Sequence, residues 1–381
     1  MTKESVVLIT DVNFRKRDII RYGVEELSQE YNVLIIDCSL FINGHKKYQL
    51  SEESEFLHEN LRVFKDFNSI NFFLGDSTFK FYVDLINTSN IKTLRLRRLL
   101  KHLRVKRVVL RLAEIPHFDN KTSKVTIILK SGNILKKIYG FIVRKLLNLL
   151  NDKADIALLA GGEAKKKHQN IAKKVISVHS MDYELHKNSL NKIENNELPP
   201  AYAVFLDQSA PNHPDYKFHN NKPPVTAEIY YDSMNKFFKV LEEKINIEVV
   251  IAKHPKSGIS SDPWEGRLCL ENKSSFLVSN CEFVLAHYST AISFAVIANK
   301  PVVQLVTDQY LKSHRKDRLK GFAELLNLRV FNVDNFKEDR ITKDSLMELD
   351  TARYNEYSER FLKSKESNLG SIWDSLIANE I

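Results

Sequence analysis

The stretch FVLAHYSTAISFAVIANKP, residues 283–301, contains a short apolar run, a polar turn, a longer apolar segment and a lysine–proline pair. The run Glu282 to Ala286 has the length of a buried strand. A helix is predicted near Ser289 to Ala298, and another strand over Pro301 to Val306. A strand that passes through a helix to a further strand predicts a parallel βαβ unit.

The same alternation extends outward through the chain. On the N-terminal side of this stretch it predicts a strand Tyr202 to Leu206, a helix Thr226 to Lys244 and a strand Glu248 to Ala252. Further back it predicts strands at Val6 to Thr10, Asn32 to Asp37, Phe72 to Leu74, Val105 to Leu112, Ala154 to Leu159 and Val175 to His179, with helices at Asp18 to Glu30 and Ala164 to Lys173. This order is typical of α/β proteins with parallel, doubly wound sheets.

Length and composition favour two domains. The chain has 381 residues, of which 43% are hydrophobic, and this is ample for more than one core. The polar segment NSLNKIENNELPP, residues 188–200, marks the boundary. We therefore expect an N-terminal domain over 1–197, a second domain over 198–345, and C-terminal helices over 346–381 that pack back on the first domain.

The cysteines and the N-terminus indicate a cytoplasmic protein. Cys38, Cys269 and Cys281 are odd in number, widely spaced and set in apolar runs, as expected of buried, reduced thiols. MTKESVVLIT lacks the layout of a signal peptide, and no stretch reaches the ~18 to 20 apolar residues of a membrane span.

The net charge of +9 is concentrated in two segments. Residues 92–111 are dense in Lys and Arg, and residues 135–150, LKKIYGFIVRKLLNLL, have the pattern of a basic amphipathic helix. Such segments suit an anionic membrane surface, for instance the inner face of the plasma membrane, but a solvated charged face explains them as well. No nucleic-acid-binding motif accompanies the charge, so no nucleic-acid partner is expected.

The residues that follow the predicted strands of the second domain could bind phosphate. VVIAKHPKSG, residues 249–258, places Lys253, His254, Pro255 and Lys256 at one strand end, and His287, Ser289 and Thr290 follow another. Ligands of open parallel sheets bind outside the carboxyl ends of the strands. A helix that begins at Ser289 would offer free N–H groups and hydroxyls, although such residues are often only caps. Either histidine could donate to a phosphate oxygen or protonate a leaving phosphate.

The first strand of the second domain adds two candidates. Asp207 and Gln208 end this strand, and we expect them to face the same crevice. His213-Pro214 follows in a loop rich in Pro, Asn and Asp, which is also typical of a simple turn.

The His-Pro motif followed by strand, Ser-Thr, helix and Lys-Pro resembles the GT-B transferases that use cytidine nucleotides: bacterial sialyltransferases, β-Kdo transferases and CDP-glycerol glycerophosphotransferases. The resemblance covers roughly residues 200–310. It implies a GT-B fold, that is, two Rossmann-like domains that face a central cleft, with C-terminal helices crossing back. It also implies that His254, with Pro255, and the pair Ser289 and Thr290 contact the phosphate of the donor.

One expected feature of these families is missing. Many bacterial sialyltransferases carry an acidic pair followed by Gly that supplies the general base, and this chain has no such triplet. The candidates for the base are carboxylates near the ends of predicted N-terminal strands, namely Asp11 and Glu163, which follows Gly161-Gly162, and then Asp182.

The expected activity is transfer of a sugar from a nucleotide sugar, most simply a CMP-activated nonulosonate or Kdo, to a glycan or lipid-linked glycan in surface-polysaccharide synthesis. The alternatives are a CDP-glycerol, CDP-ribitol or UDP-sugar donor, and a non-catalytic module that binds a glycan or a nucleotide. No phosphate loop, GxGxxG, HExxH, GxSxG or DxD-like pair is present at a suitable strand end, so neither a metal nor a further cofactor is expected.

Overall fold

The computed structural model describes residues 3–44, 58–118, 142–143, 145–147, 149–190, 198–213, 216, 221–254, 262–367 and 370–380. The chain divides into two compact units. The first comprises residues 1–114, 121–181 and 363–381, and the second comprises 115–120 and 182–362. The division falls at 181/182, whereas the sequence placed it at 197/198. Similarly, the predicted C-terminal segment 346–381 is shared between the units, because residues up to 362 belong to the second.

The first unit is built on a seven-stranded parallel sheet with the strand order β3-β2-β1-β4-β5-β6-β7. Its strands are β1 (Ser5–Thr10), β2 (Asn32–Asp37), β3 (Leu61–Val63), β4 (Phe81–Leu85), β5 (Lys106–Arg111), β6 (Ala154–Ala160) and β7 (Ala172–Val178). The helices of its N-terminal part are α1 (Lys16–Arg21), α2 (Val24–Glu30), α3 (Ser39–Asn43), α4 (Phe67–Gly75), α5 (Ile91–His102) and α6 (Gly161–His168). The central strands are apolar and buried on both faces, as parallel sheets require.

Two predictions for this unit are wrong. Phe72 to Leu74 is not a strand but part of α4, because Asp66 caps a helix there and Ile70 and Leu74 are buried at a spacing of four residues. The predicted helix Asp18 to Glu30 is broken at Gly23, whose φ of 55° is left-handed. A Cβ atom at Gly23 would lie 2.9 Å from Nε1 of Trp373, which donates to the Tyr22 carbonyl.

The second unit contains a six-stranded parallel sheet with the order β10-β9-β8-β11-β12-β13. Its strands are β8 (Tyr202–Leu206), β9 (Glu248–Lys253), β10 (Cys269–Glu271), β11 (Phe283–Ala286), β12 (Val302–Val306) and β13 (Arg329–Asn332). Its helices are α7 (Met181–Leu190, which begins at the last residue of the first unit), α8 (Ala227–Ile245), α9 (Ser274–Asn280), α10 (Ile292–Ile297), α11 (Asp308–Lys312), α12 (Lys316–Leu326), α13 (Lys343–Leu346) and α14 (Thr351–Tyr357). The longest, α8, buries Tyr230, Met234, Phe237, Phe238 and Leu241 at helical spacing against the sheet.

The end of the chain contributes to both units. A π-helical turn, Ser358–Leu362, follows α14, and Tyr354, Tyr357 and Phe361 pack in the core of the second unit. Lys363 then pairs with His179, beside β7, through an isolated antiparallel β-bridge of the backbone. The last helix, α15 (Ile372–Glu380), buries Trp373 in the first unit. The chain thus returns to the first unit at Lys363.

Candidate functional site

The order of the second sheet reverses at one point. β8 lies between β9 and β11, so successive strands are added first on one side of β8 and then on the other. In open parallel sheets, ligands bind outside the carboxyl ends of the strands at such a switch point. The residues that follow β8, β9 and β11 therefore form the candidate site, and they include most of the donor-site residues predicted from the sequence.

Asp207 joins the ends of β8 and β9. It is only 6% exposed, and its carboxylate accepts hydrogen bonds from the backbone N–H groups of Ser209, His254 and Gln208, at 2.8 Å for Ser209. Burial raises the Asp207 pKa to about 6, although these hydrogen bonds and the charge of Lys253 oppose the shift. Asp207 thereby fixes the backbone of the loop that carries His254.

Gln208 and Ser209 complete this strand end. The Gln208 Oε1 accepts a hydrogen bond from the Tyr288 backbone N–H at 3.2 Å, which links the ends of β8 and β11. Ser209 has a left-handed backbone with φ of 48°, and its buried hydroxyl has no partner among the described residues. A strained residue with an unpaired buried hydroxyl is uncommon, and such features concentrate at functional sites.

His254 follows β9 and is half-buried. Its ring contacts that of His213, with centroids 4.8 Å apart and an interplanar angle of 65°. Lys253 forms an ion pair with Glu271 at 3.0 Å at the end of the neighbouring strand. The predicted residues Pro255 and Lys256 lie outside the described residues. The structure therefore adds His213 to the site, although its sequence context is equally typical of a turn.

His287 is placed differently from the prediction. It is fully buried, its Nδ1–H donates to the Leu305 carbonyl at 2.7 Å, and its Nε2 accepts from the Tyr230 hydroxyl at 2.8 Å. Burial lowers the His287 pKa to about 4, so the ring is neutral near pH 7. Because both ring nitrogens are used inside the domain, this geometry does not give His287 the direct phosphate contact expected from the sequence. His287 instead holds in place the turn that follows β11.

Ser289 and Thr290 lie in that turn. Helix α10 begins at Ile292, three residues later than predicted, and the Ser289 hydroxyl accepts a hydrogen bond from the Ala291 N–H at 3.1 Å. The Ser289 hydroxyl proton remains available to a ligand, and Thr290 is exposed. The hydrogen bond that Ser289 accepts within the turn is thus compatible with a ligand contact, although Ser289 does not cap α10, whose N-cap is Ala291.

Arg315 was not among the residues predicted from the sequence. The Nε of Arg315 is buried without a hydrogen-bond partner in the described part of the chain. Burial raises the Tyr288 pKa, and the positive charges of Arg315 and Arg318 oppose this shift. The run HRKDR, residues 314–318, after the predicted strand Pro301 to Val306 could have indicated them.

The three candidate bases have different surroundings. Asp11 is 1% exposed, and its two carboxylate oxygens accept from the backbone N–H groups of Asn87 and Thr88 at 3.1 and 2.8 Å. It therefore joins the ends of β1 and β4, at the switch point of the first sheet. Glu163 lies in the first turn of α6 and Asp182 in the first turn of α7, and both are half-buried. The identity of the base stays a prediction.

Comparison with solved structures establishes the fold. The wall teichoic acid polymerase TagF is similar with a TM-score of 0.58 and 9% identity over 99% of this chain and 88% of that one. The UDP-GlcNAc 2-epimerase from Methanocaldococcus jannaschii is similar with a TM-score of 0.51 and 10% identity over 99% of both chains. The chain has the GT-B fold. At these identities the similarity shows the GT-B fold alone, and no family model and no curated protein matches the sequence.

The described part of the chain contains neither a metal-binding cluster nor a helix that could span a membrane. Within them, no three His, Cys, Asp or Glu side chains are grouped so that they could hold a metal ion. None of the described helices combines the length and the apolar character needed to cross a membrane.

Proposed function

We propose that this protein is a glycosyltransferase of bacterial surface-polysaccharide synthesis, such as that of lipopolysaccharide or capsule, acting in the cytoplasm. The donor would be a CMP-activated nonulosonate or Kdo, and the acceptor a glycan or a lipid-linked glycan. The observation that carries the proposal is the set of linked strand ends at the switch point of the second sheet, where Asp207 holds the loop of His254 and Gln208 holds the turn before Ser289.

The donor phosphate would bind outside the ends of β8, β9 and β11. His254, the Ser289 hydroxyl and Thr290 would donate hydrogen bonds to its oxygens, and Lys253 and Arg315 would supply positive charge. Such preorganised donors stabilise the negative charge that develops on a leaving phosphate and do so without a metal ion. His287 and Tyr230 would act indirectly by holding the turn in place.

The reaction exchanges one C–O bond for another. The bond between the anomeric carbon and the phosphate oxygen breaks, the acceptor hydroxyl oxygen bonds to the same carbon, and its proton passes to a carboxylate. Of the candidates, Asp11 already uses both carboxylate oxygens to accept hydrogen bonds from backbone N–H groups, which ties its side chain to the ends of β1 and β4. This favours Glu163 or Asp182 for the proton transfer.

The same architecture could use CDP-glycerol, CDP-ribitol or a UDP-sugar. The similarity to a wall teichoic acid polymerase and to an epimerase of a UDP-sugar supports this alternative, because the GT-B fold accommodates both. Hydrolysis assays with CMP-, CDP- and UDP-linked donors separate these cases: turnover of a UDP-sugar alone would exclude the cytidine donor.

A non-catalytic binding module is the alternative from another class. It is supported by the absence of the acidic triplet from the sequence and by the structural use of Asp11. A protein that binds CMP but turns over no donor with any acceptor would favour it.

The direct test is donor turnover by His254→Ala. We expect its rate to fall at least tenfold, because a hydrogen bond to the developing charge is lost. His117→Ala, which changes an exposed histidine of the same unit, is the matched control and should keep full turnover. Unchanged turnover by His254→Ala would contradict the role assigned to this histidine.

A further inference from the structure

A cavity of about 380 Å³ opens on the first unit at the amino ends of the sheet strands. Asp11 lies at the opposite, carboxyl ends of the strands. Residues near the amino ends of four neighbouring strands line it, among them Tyr82 of β4, Arg107 of β5, Asp155 of β6 and Lys173 of β7. Since all strands of this sheet are parallel, this edge lies away from the carboxyl ends, where GT-B substrates are expected. The cavity is therefore separate from the candidate site.

The cavity is strongly basic. Eight of its lining side chains are Lys or Arg, and two are Asp. Arg98, Arg104 and Lys153 are exposed and form no ion pair within the described part of the chain. An anionic group in this cavity would meet cations that are not already neutralised.

Two arginines at the cavity are held rigidly. Asp84, whose side chain is 1% exposed, forms ion pairs with Arg97 at 2.8 Å and with Arg107 at 2.6 Å. Burial by itself would raise the Asp84 pKa, but the two guanidinium groups outweigh it and lower the pKa, so Asp84 is ionised. One carboxylate for two arginines leaves a positive charge in fixed geometry at the cavity wall.

Arg104 occupies an unusual backbone position. It follows α5 with φ of 57°, and its N–H and that of Val105 close the helix by donating to Lys101 and Leu100 carbonyls at 3.0 Å. Glycine is the usual residue at this left-handed C-cap position. The backbone of Arg104 is therefore strained, and its side chain places a cation at the cavity.

An apolar stripe adjoins the cavity. The described residues between 142 and 150 are helical, and Ile142, Leu146, Leu149 and Leu150 are 50 to 74% exposed. Their spacing of four, three and one residues places them on one face of the helix. We call these four residues the apolar stripe. Leu150 also lines the cavity, so the stripe and the cations belong to one surface.

We propose that this surface docks the protein on an anionic phospholipid membrane, with lipid phosphates in the basic cavity and the apolar stripe in the acyl-chain region. Basic residues beside exposed leucines complement both parts of such a surface, the charged headgroups and the hydrocarbon. A soluble phosphate compound or a nucleic acid would account for the cations but would leave the leucines exposed to water. The proposal concerns binding alone and does not depend on the transferase activity.

The test is cosedimentation of the full-length chain with vesicles. We expect binding to mixtures of phosphatidylcholine and phosphatidylglycerol, little binding to phosphatidylcholine alone, and weaker binding as salt increases. Arg104→Gly and Arg98→Ala should each weaken binding about fivefold. Arg104→Gly should fold at least as well as the parent, because glycine suits the left-handed backbone.

Leu149→Ser tests the stripe. Because Leu149 is 74% exposed, its replacement should not disturb folding, yet it should weaken vesicle binding about tenfold. Lys320→Ala, an exposed lysine of the second unit, is the control and should bind as the parent does.

Three results would overturn the proposal. One is binding of glycerol phosphate or inorganic phosphate without any binding to vesicles. Another is a dimer in sedimentation that Leu149→Ser converts to a monomer, since the stripe would then serve a second copy of the chain. The third is vesicle binding that Arg98→Ala, Arg104→Gly and Leu149→Ser leave unchanged. Donor turnover measured with a soluble acceptor reports separately on the proposed function.

Discussion

The ring of His213 contacts the ring of His254 edge-to-face, with centroids 4.8 Å apart. The two histidines come from the loops after β8 and β9, which are neighbouring strands. A second imidazole beside the first would either hold His254 in place or donate to the same phosphate. Two substitutions distinguish these roles.

His213→Phe keeps an aromatic ring against His254 and removes the ring nitrogens. If His213 donates to the phosphate, His213→Phe and His213→Ala should both weaken nucleotide binding about tenfold to a hundredfold, which corresponds to the loss of one hydrogen bond to a charged group. If it only positions His254, His213→Phe should bind as the parent and His213→Ala more weakly. Isothermal titration with the nucleotide measures both, and unchanged binding by both variants would remove His213 from the site.

The hydrogen bond from Tyr230 to His287 should be important for stability. Tyr230→Phe removes the hydroxyl and leaves the buried Nε2 without a donor, so we expect a loss of about 1 to 3 kcal/mol in the free energy of unfolding. Tyr231→Phe is the matched control, because its hydroxyl makes only a 3.4 Å contact with exposed Asn212 and should cost little. Equal losses in urea denaturation would argue against this role.

Asp207 should make stability depend on pH. Its pKa is raised from 3.8 to about 6, so the folded protein binds this proton more tightly than the unfolded chain. The resulting stability is fully present below pH 3.8 and is lost as the pH rises through 6. Relative to Asp207→Asn, the parent should therefore lose about 2 kcal/mol between pH 4 and 7. If the free energies of unfolding of the two proteins changed equally with pH over this range, the burial of Asp207 would be contradicted.

The buried ion pairs of Asp84 should be costly to break. Asp84→Asn leaves Arg97 and Arg107 without a charged partner at sites where they are 12 and 17% exposed, and we expect a loss of about 3 to 5 kcal/mol. Asp152→Asn breaks an exposed pair with Lys101 and should cost at most about 1 kcal/mol. Melting temperatures of the two variants should differ clearly, and similar values would mean that Asp84 is not buried.

The alternation of strands and helices could be predicted from the sequence because each strand is a short apolar run between polar turns. It predicted the parallel sheets and all of the second unit's strands except the edge strands β10 and β13, which have three and four residues. Phe72 to Leu74 was misread because an aromatic run suits a strand as well as a helix, and the cap at Asp66 decides between them. The backbone at Gly23 packs closely against Trp373, which lies 350 residues further along the chain, and local patterns do not show such a contact.

The site was predictable in position and less so in detail. Parallel strands bring their carboxyl ends to one edge, which is why Asp207, Gln208, His254 and Ser289 could be grouped from sequence alone. Burial could not be read in the same way: His287 follows its strand just as His254 does, but only the structure shows that its ring points into the core. The effect of the Arg315 charge on Tyr288 arises between residues 27 positions apart, for which the sequence carries no periodic signal.

The central claim is that the second unit binds a cytidine nucleotide at the switch point, and a thermal-shift screen with CMP, CDP, UMP, UDP and GDP tests it most directly. We predict that CMP or CDP raises the melting temperature, with a stabilisation of about 2.7 kcal/mol at a hundred times the dissociation constant. This rise should disappear in His254→Ala and persist in His117→Ala. A rise with UDP alone would contradict the cytidine donor, and no rise with any nucleotide would contradict the claim itself.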